Sequence, residues 1–314
     1  MNNQTLTETL RSLEPSKAEW KFALYSVKKS RDGLELEWNI CRMKGIADWV
    51  ETLRTTFLEK CLPNRTVQEY SPFLSDKECI SALKRKDSAI REQITDTLLN
   101  IKNGLPNAPE VFLSDSLPKP SGFAFYGEIE SDKVDSKPAQ ILFMKRGNPF
   151  INGGKTRLCI SNGSDAVYND KPVLKFTPAV DFILIGDVCY FNSSAIEKDL
   201  NMENRHLAIA VNRLEIIAAS EIAGNLEKLE SVGTSVKNAK KFVSFDEEIL
   251  EHITNLSIVE REEFLSTYGI TVDHKGLMDT SDSEQCELII DLLCGRSVVD
   301  PLGRLAIGNV TLRE

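Results

Sequence analysis

Hydrophobic and polar positions alternate in two neighbouring segments near the start of the chain, KFALYSV and LELEWNI. A period of two is typical of strands that bury one face, and the Arg31-Asp32-Gly33 sequence between them is a hairpin signal. In the following GIADWVETLRTTFLEKCLP, the apolar positions take a helical spacing that stops at Pro63. The pattern predicts a β-hairpin with a basic turn, followed by a helix.

A second helix is predicted over residues 76–103. Ser75 and Glu78 have the spacing of a capping box at its start, and Gly104 follows its last apolar position. Apolar residues between these limits recur at helical intervals, which predicts that one face of this helix is buried.

The segment 105–122 is rich in proline and serine and interrupts the helical spacing. It predicts a boundary between an N-terminal α/β region with the basic hairpin and helices (1–120) and a second region (121–314). Short apolar runs separated by turn-like sequences then predict strands at about 123–130, 139–145, 157–161, 165–168, 172–176 and 180–191. Their connections are too short for parallel crossovers, so we predict an antiparallel meander.

Beyond residue 192 the pattern is mostly helical, with a last short strand in RLAIGNVTL. The helix over 205–223 is apolar on nearly all sides, which favours deep burial or a homodimer interface. The predicted fold class is therefore α+β: an antiparallel central sheet flanked by helices, with an α-rich N-terminal region and a helical C-terminal part.

Composition narrows the class of protein. The 314 residues are 41% hydrophobic and 27% charged, as in soluble globular proteins. No window reaches the roughly 18 apolar residues of a membrane span, and the first residues lack the pattern of a secretory leader. The seven cysteines never take C-x-x-C spacing and the three histidines lie far apart. We expect a cytoplasmic protein with reduced thiols and with neither a metal site nor a cofactor.

The net charge of -9 is unevenly distributed along the chain. Residues 1–160 carry 24 Lys and Arg against 21 Asp and Glu, whereas residues 161–314 carry 14 against 26. An acidic total does not exclude nucleic-acid binding, because a local basic surface sets the contact. A nucleic-acid surface is therefore expected in the first half, and the acidic half also promotes solubility.

The loop LFMKRGNPFINGGKTRLCI ends in Gly-Gly-Lys-Thr, which resembles the end of a phosphate-binding P-loop. That motif requires a glycine five residues before Gly154, where this chain has Pro149, and a helix after it, where this chain has a strand pattern. The loop is therefore predicted to be a basic hairpin.

Asp115, Asp135 and Lys137 have the order of a metal-dependent nuclease motif, but they also fit a solvated turn. We predict no catalytic residues and keep the nuclease as an alternative.

Three groups of cations are candidates for contacts with DNA phosphates. They are Lys28, Lys29 and Arg31 in the first hairpin; Lys77, Lys84, Arg91 and Lys102 on the predicted second helix; and Lys145, Arg146, Lys155 and Arg157 in the second hairpin. The spacings of 7, 7 and 11 residues in the second group would align four cations on one side of a helix. Such a stripe fits a phosphate backbone, although basic stripes are also commonly just solvated. Lys237, Lys240 and Lys241, in the acidic half, are expected to be solvated.

The block TPAVDFILIGDVCYFNSSAIEKDL (177–200) resembles the core signature of the KwaB family, long described only as a domain of unknown function. In this signature a strand reaches an Asp, here Asp181. A second strand then ends in aromatic-Asn, here Asn192, and a helix begins. FALYSVKK near the start and LLCGRSVVDPLGRLAIGNVTL near the end are also similar to the family.

The resemblance implies a function that composition and spacing do not. KwaB is the soluble subunit of the Kiwa anti-phage defence system. The family implies a cytoplasmic protein that self-associates, binds DNA, acts with the transmembrane partner KwaA at the membrane, and restricts phage replication. It implies no catalytic residues. The remaining alternatives are the metal-dependent nuclease and a homo-oligomeric interaction protein that does not bind DNA.

Overall fold

The computed structural model describes residues 2–30, 33–85, 88–107, 119–129, 138–149, 158–162, 165–169, 176–299 and 305–307. Contacts between Cα atoms divide the chain into two compact units. Unit 1 comprises Met1–Tyr70 and Leu74–Asn201, and unit 2 comprises Ser71–Phe73 and Met202–Glu314. The predicted regions 1–120 and 121–314 reflect a change in composition and do not coincide with these units.

Unit 1 is built on one large sheet. The described strands are β1 (Glu19–Ser30), β2 (Gly33–Cys41), β3 (Thr66–Glu69), β4 (Cys79–Lys84), β5 (Pro106–Asn107), β6 (Gly122–Ile129), β7 (Ala139–Arg146), β8 (Leu158–Asn162), β9 (Asp165–Asn169), β10 (Phe182–Ile185) and β11 (Val188–Phe191). Among them, eight strands and the two-residue β5 form the sheet in the order β3-β4-β11-β10-β7-β6-β1-β2-β5. β8 and β9 form a separate hairpin.

The predicted antiparallel meander corresponds to β6, β7, β10 and β11, which pair in sequence order. The predicted strand over 180–191 is two strands joined by Gly186 and Asp187, and the positive φ of Gly186 suits such a two-residue turn. The predicted strand over 172–176 falls almost wholly outside the described residues. β3 pairs with β4, and β2 with β5, in parallel.

Helices cover both faces of this sheet: α1 (Asn3–Ser12), α2 (Ile46–Thr56), α3 (Ser88–Asn103) and α4 (Ala195–Asp199). Phe22 and Leu24 of β1 share one core with residues of α1 and α2. Because side chains alternate along a strand, Ala23 and Tyr25 point to the opposite face, and both are fully buried. The prediction of an α+β fold is confirmed.

The predicted helix over 76–103 is wrong in its first half. Residues 79–84 form β4, which lies between β3 and β11, and α3 begins only at Ser88. Cys79 to Leu83 are all buried, so this central strand shows no alternation, and its apolar run was misread as helical. Ser75 accepts a hydrogen bond from the Lys77 N–H in a turn instead of forming the predicted capping box.

Unit 2 is mainly helical. Its elements in the described residues are α5 (Met202–Ala219), α6 (Leu226–Gly233), α7 (Val236–Ala239), α8 (Glu247–Asn255), α9 (Ile258–Ser266), α10 (Ser283–Leu293), β12 (Ser297–Val299) and β13 (Leu305–Ile307). Ala210, Leu214 and Ile217 of α5 pack into a core with α6, α8 and α10. Over the residues that the structure describes, no helix combines the length and the apolar character needed to cross a bilayer.

Candidate functional site

The register of the sheet places the candidate cations of unit 1 at two opposite ends. β7 runs from Ala139 to Arg146, and its neighbour β6 runs back from Gly122, opposite Arg146, to Ile129. We call the end of the sheet at which β7 finishes the Arg146 end, and the end at which it begins the Arg85 end. At about 3.3 Å per residue the two ends lie about 23 Å apart.

The four cations that were predicted to share one helix are divided between these ends. Lys77 precedes β4 at the Arg146 end, whereas Lys84 finishes that strand beside Val188, at the Arg85 end. Arg91 and Lys102 lie on α3 and line a cleft at the Arg85 end. The predicted stripe is therefore wrong, because a strand separates residues that helical spacing would have aligned.

The Arg146 end holds a cluster of charged residues whose acids are buried. Lys145 Nζ lies 2.7 Å from Asp181 Oδ1, and Arg146 Nε lies 3.1 Å from Asp199 Oδ2. The Arg146 backbone N–H also donates to Asp181 Oδ2, at 2.8 Å, and the Tyr25 hydroxyl donates to Asp199 Oδ2, at 3.0 Å. The two described cations of the second hairpin thus anchor strand β7 to buried carboxylates, which reduces their availability to a ligand.

Burial dominates the electrostatics of this cluster. The Asp199 side chain is 2% exposed, and burial raises the pKa of its carboxyl group above the ordinary value, although Arg146 and Tyr25 oppose that shift. Burial and the neighbouring Asp199 together raise the pKa of Tyr25 above the ordinary tyrosine value. Tyr25 is therefore a permanent donor at neutral pH, and its hydroxyl helps to satisfy the buried carboxylate.

Asp181 and Asn192, the two residues of the family-like signature, have structural roles. The backbone N–H of Asn192 donates to the carbonyl oxygen of Asp181 at 2.8 Å, and its side-chain amide donates to the carbonyl oxygen of Val180 at 2.5 Å. Arg65 donates to the carbonyl oxygen of Asn192 at 2.9 Å and to its side-chain oxygen at 2.5 Å. This signature therefore closes the β10–β11 hairpin at the entry to α4.

The Arg85 end contains an open cleft of about 930 Å³. It lies between α3, the end of β6, the start of β7, and the turns that follow β4 and β10. Its lining residues are Arg85, Arg91, Thr95, Lys102, Glu128, Pro138, Ala139, Gln140, Gly186 and Asp187. Three cations and two acids thus share one cavity, which we call the α3 cleft.

A chain of polar contacts runs along the α3 cleft. Lys102 Nζ donates to Glu128 at 2.7 Å, and the Tyr126 hydroxyl also donates to Glu128. Gln140 donates to the Tyr126 hydroxyl at 3.3 Å and accepts from Arg85 at 2.9 Å. The network fixes the side chains that border the cavity.

Charge at Glu128 is stabilised by this network. Burial alone would raise the pKa of Glu128, but the hydrogen bonds from Lys102 and Tyr126 outweigh it and hold the pKa below its usual value. Burial, together with the hydrogen bond to Glu128, raises the pKa of Tyr126 above the ordinary tyrosine value. At neutral pH the network therefore contains a carboxylate and a neutral phenol.

Comparison with protein families gives the identity of the chain's family. A family model described as Kiwa protein KwaB-like matches residues 136–302, slightly more than half of the chain. The chain belongs to the KwaB-like family. Neither curated proteins nor solved structures provide a match. The predicted family is confirmed, and the family is that of a subunit of Kiwa anti-phage defence.

The KwaB-like match covers the two ends of the sheet unequally. At the Arg146 end it includes Lys145, Arg146, Asp181 and Asp199. At the Arg85 end it includes Gln140 and Asp187 but none of the three cations of the α3 cleft, which precede residue 136. The basic side of the cleft is therefore supplied by the part of this KwaB-like chain that lies outside the match.

The candidate cations differ in how strongly they are neutralised. Four have carboxylate partners within 2.7 to 3.1 Å: Lys28 with Glu37, Lys102 with Glu128, Lys145 with Asp181, and Arg146 with Asp199. Four are exposed and have no carboxylate partner among the residues that the structure describes: Lys29, Lys77, Lys84 and Arg91. Arg31, Lys155 and Arg157 lie outside the described residues. Lys84 and Arg91 both belong to the Arg85 end.

Sequence reasoning missed Arg85, because residues 76–103 were interpreted as one helix. Its position directly after an apolar strand is the signal that would have indicated it.

Unit 2 also differs from expectation. Lys241 was expected to be solvated but is buried, and its Nζ lies 2.8 Å from Asp291. The Arg296 Nε lies 3.3 Å from the same carboxylate.

The three residues of the nuclease alternative, Asp115, Asp135 and Lys137, all lie outside the described residues. Within the described part of the chain, no group of three or more His, Cys, Asp or Glu side chains is arranged to hold a metal ion.

Proposed function

We propose that this KwaB-like protein is a non-enzymatic defence subunit that binds DNA without sequence preference and acts with KwaA to block phage replication. Family membership supports the role in defence. The observation that supports DNA binding is a pair of exposed cations at the Arg85 end, Lys84 and Arg91, for which the described part of the chain offers no carboxylate partner. Lys102, half-exposed and paired with Glu128, adds a weaker contact.

Phosphate contacts of this kind have a measurable salt dependence. Each phosphate neutralised contributes a slope of about -0.9 to log K against log salt, so the full contacts of Lys84 and Arg91 give about -1.8, and Lys102, paired with Glu128, adds less than a full contact. Raising the salt from about 50 mM to about 200 mM should then weaken binding by roughly twelvefold or more. Lys145 and Arg146 contribute less to this slope, because their charges are already paired with Asp181 and Asp199.

A mobility-shift titration with plain duplex DNA at two salt concentrations tests this proposal. A Lys84→Ala/Arg91→Ala variant should bind more weakly and lose about 2 from the slope. A Lys60→Ala/Lys275→Ala variant, which removes two exposed cations elsewhere, is the matched control for net charge. Equal binding by the two variants would contradict the assignment, and no shift at low salt would contradict DNA binding. Cleavage of the duplex only with Mg²⁺ would support the nuclease alternative.

Recruitment to the inner face of the membrane through KwaA belongs to the same proposal. Its support is family membership alone. The expected result is that the protein sediments with membranes when KwaA is co-expressed and remains in the supernatant when KwaA is omitted. Sedimentation that does not depend on KwaA would contradict recruitment by this partner.

Self-association is the second part of the proposal. Leu207 and Val211 lie one turn apart on α5 and are 41% and 43% exposed. Large apolar side chains on one exposed helix face are a typical contribution to a homodimer interface. Light scattering after size exclusion should show a dimer that Leu207→Glu/Val211→Glu converts to a monomer. An unchanged mass in the variant would place the interface elsewhere.

A further inference from the structure

The α3 cleft differs chemically from a surface that only contacts a phosphate backbone. Its walls combine cations, carboxylates, an amide, a hydroxyl and two small apolar residues around one cavity of about 930 Å³. We propose that the α3 cleft binds a nucleoside phosphate, either as a free nucleotide or as the terminal nucleotide of a nucleic acid. This inference rests on the proposed function only where the nucleotide is part of DNA.

Arg85 is the group best suited to hold the phosphate. One of its terminal nitrogens donates to Gln140 Oε1 at 2.9 Å and the other donates to Thr95 Oγ1 at 3.4 Å. Its backbone N–H donates to the carbonyl oxygen of Asp187 at 2.7 Å. A guanidinium has five N–H donors, so at least two remain for a ligand, and the held side chain loses little entropy when it binds one. Arg91, in α3, adds a second positive charge to the lining of the cleft.

The other lining groups argue against a bare phosphate ion. Glu128 is already paired with Lys102, but Asp187 adds an exposed carboxylate to the same cavity, and this group would repel an anion that had no donors of its own. A nucleoside phosphate carries sugar hydroxyls and base N–H groups. These groups can donate hydrogen bonds to a carboxylate or to the side-chain oxygen of Gln140. Pro138 and Ala139, both exposed, provide an apolar surface against which the flat base can lie.

Cavity size separates this ligand from duplex DNA. A volume of about 930 Å³ is at the upper end of small-molecule sites, which leaves room for one or two nucleotides. A duplex keeps its bases stacked inside a convex surface, so it meets cations at the rim and not the interior of a cleft. Enzymes that act on single bases meet this limit by extruding a nucleotide from the stack. A free or terminal nucleotide needs no such step.

Isothermal titration calorimetry with the full chain tests the proposal. The probes are dAMP, deoxyadenosine, inorganic phosphate, and tetrathymidylate with and without a 5′-phosphate. We expect dAMP to bind more tightly than either deoxyadenosine or inorganic phosphate. Tighter binding of the 5′-phosphorylated tetranucleotide than of dAMP would indicate that the ligand is the end of a nucleic acid. Tighter binding of dAMP would indicate that the ligand is a free nucleotide.

Two variants with different mechanisms locate the site. Arg85→Ala removes the phosphate group's main partner and should weaken dAMP binding roughly tenfold to a hundredfold. Ala139→Trp fills the cavity from an exposed position, so it should abolish binding without removing a charge. Arg11→Ala, an exposed arginine on α1, is the matched control and should leave binding unchanged.

The outcomes are distinguishable from those of duplex binding. No heat with dAMP or the phosphorylated oligonucleotide would overturn the nucleotide site. So would equal affinity for inorganic phosphate, or binding that neither Arg85→Ala nor Ala139→Trp changes. If the mobility shift with duplex DNA persists in those cases, DNA binding stands without the nucleotide site. If dAMP binds but no duplex shift occurs, the nucleotide site stands without DNA binding.

Discussion

Replacing Arg146 by methionine removes the cation that contacts Asp199 and keeps most of the side-chain volume. The Asp199 carboxylate, which then lacks Arg146, is 2% exposed and still accepts a hydrogen bond from the Tyr25 hydroxyl. Losing one partner of a fully buried pair costs about 3–5 kcal/mol, whereas an exposed pair contributes about 0–1 kcal/mol. Arg146 itself is 44% exposed, so we expect an intermediate loss of about 2 kcal/mol in the free energy of unfolding.

Tryptophan fluorescence during urea unfolding measures this loss in unit 1 alone. The three tryptophans, Trp20, Trp38 and Trp49, all belong to that unit, and the Trp38 ring lies 5.2 Å from the Tyr25 ring. With a denaturant slope of about 2 kcal/mol per molar, the urea midpoint should fall by about 1 M. The control Lys28→Met breaks the half-exposed pair with Glu37 at the same end of the sheet and should lower stability by less than about 1 kcal/mol.

The pH dependence provides the sharper test. Burial already raises the pKa of Asp199, and loss of Arg146 raises it further, because that cation favours the charged form. Between the ordinary pKa of the unfolded chain, near 3.9, and the raised pKa of the folded variant, the folded state binds more protons. Its stability relative to wild type therefore improves as the pH falls into that window.

We thus expect the destabilisation by Arg146→Met to be largest near neutral pH and to shrink as the pH falls through the raised pKa of Asp199 towards the ordinary carboxyl range. A loss no larger than that of Lys28→Met would refute the argument that Asp199 depends on Arg146. A loss of the expected size that is constant with pH would refute the electrostatic explanation and indicate lost packing instead.

Three further results are expected elsewhere in the chain. Asp291→Ala should destabilise unit 2 by about 3–5 kcal/mol, measured by circular dichroism, because it takes the carboxylate away from the buried Lys241 and the half-buried Arg296. Gly122→Ala should cost about 1–3 kcal/mol by tryptophan fluorescence, since a Cβ there would collide with the carbonyl oxygen of Lys145. Burial lowers the pKa of His206 to about 4, so stability should fall as the pH decreases from about 6.5 to about 4, and His206→Gln should remove that loss in thermal unfolding.

Elements with local signals were predicted well. The hairpin of β1 and β2 combines alternation with a turn sequence, and the meander of β6, β7, β10 and β11 has short connections that exclude parallel crossovers. Both depend on residues close in sequence. The parallel pair of β3 and β4 gave no comparable signal, because a central strand buried on both faces lacks alternation.

The candidate sites divide in the same way. The positions and signs of the cations could be read from the sequence, but not which of them are neutralised. Asp199 lies 53 residues after Arg146 and Asp181 lies 36 after Lys145, so no spacing rule connects the pairs. The α3 cleft is assembled from residues spread between Arg85 and Asp187. For the same reason, the polar network that holds Arg85 could not be predicted from the sequence.

By itself, the sequence determined the fold class and the half of the chain that carries most of the basic residues, because composition and short-range periodicity are properties of the sequence itself. The family was recognisable from the resemblance of residues 177–200 to its core signature. Tertiary structure alone decided that Lys145 and Arg146 are paired with buried acids, while Lys84 and Arg91 remain exposed at the other end of the sheet. The reason is that strand pairing brings distant residues together. Whether a charge is solvated, paired or presented to a ligand depends on those neighbours.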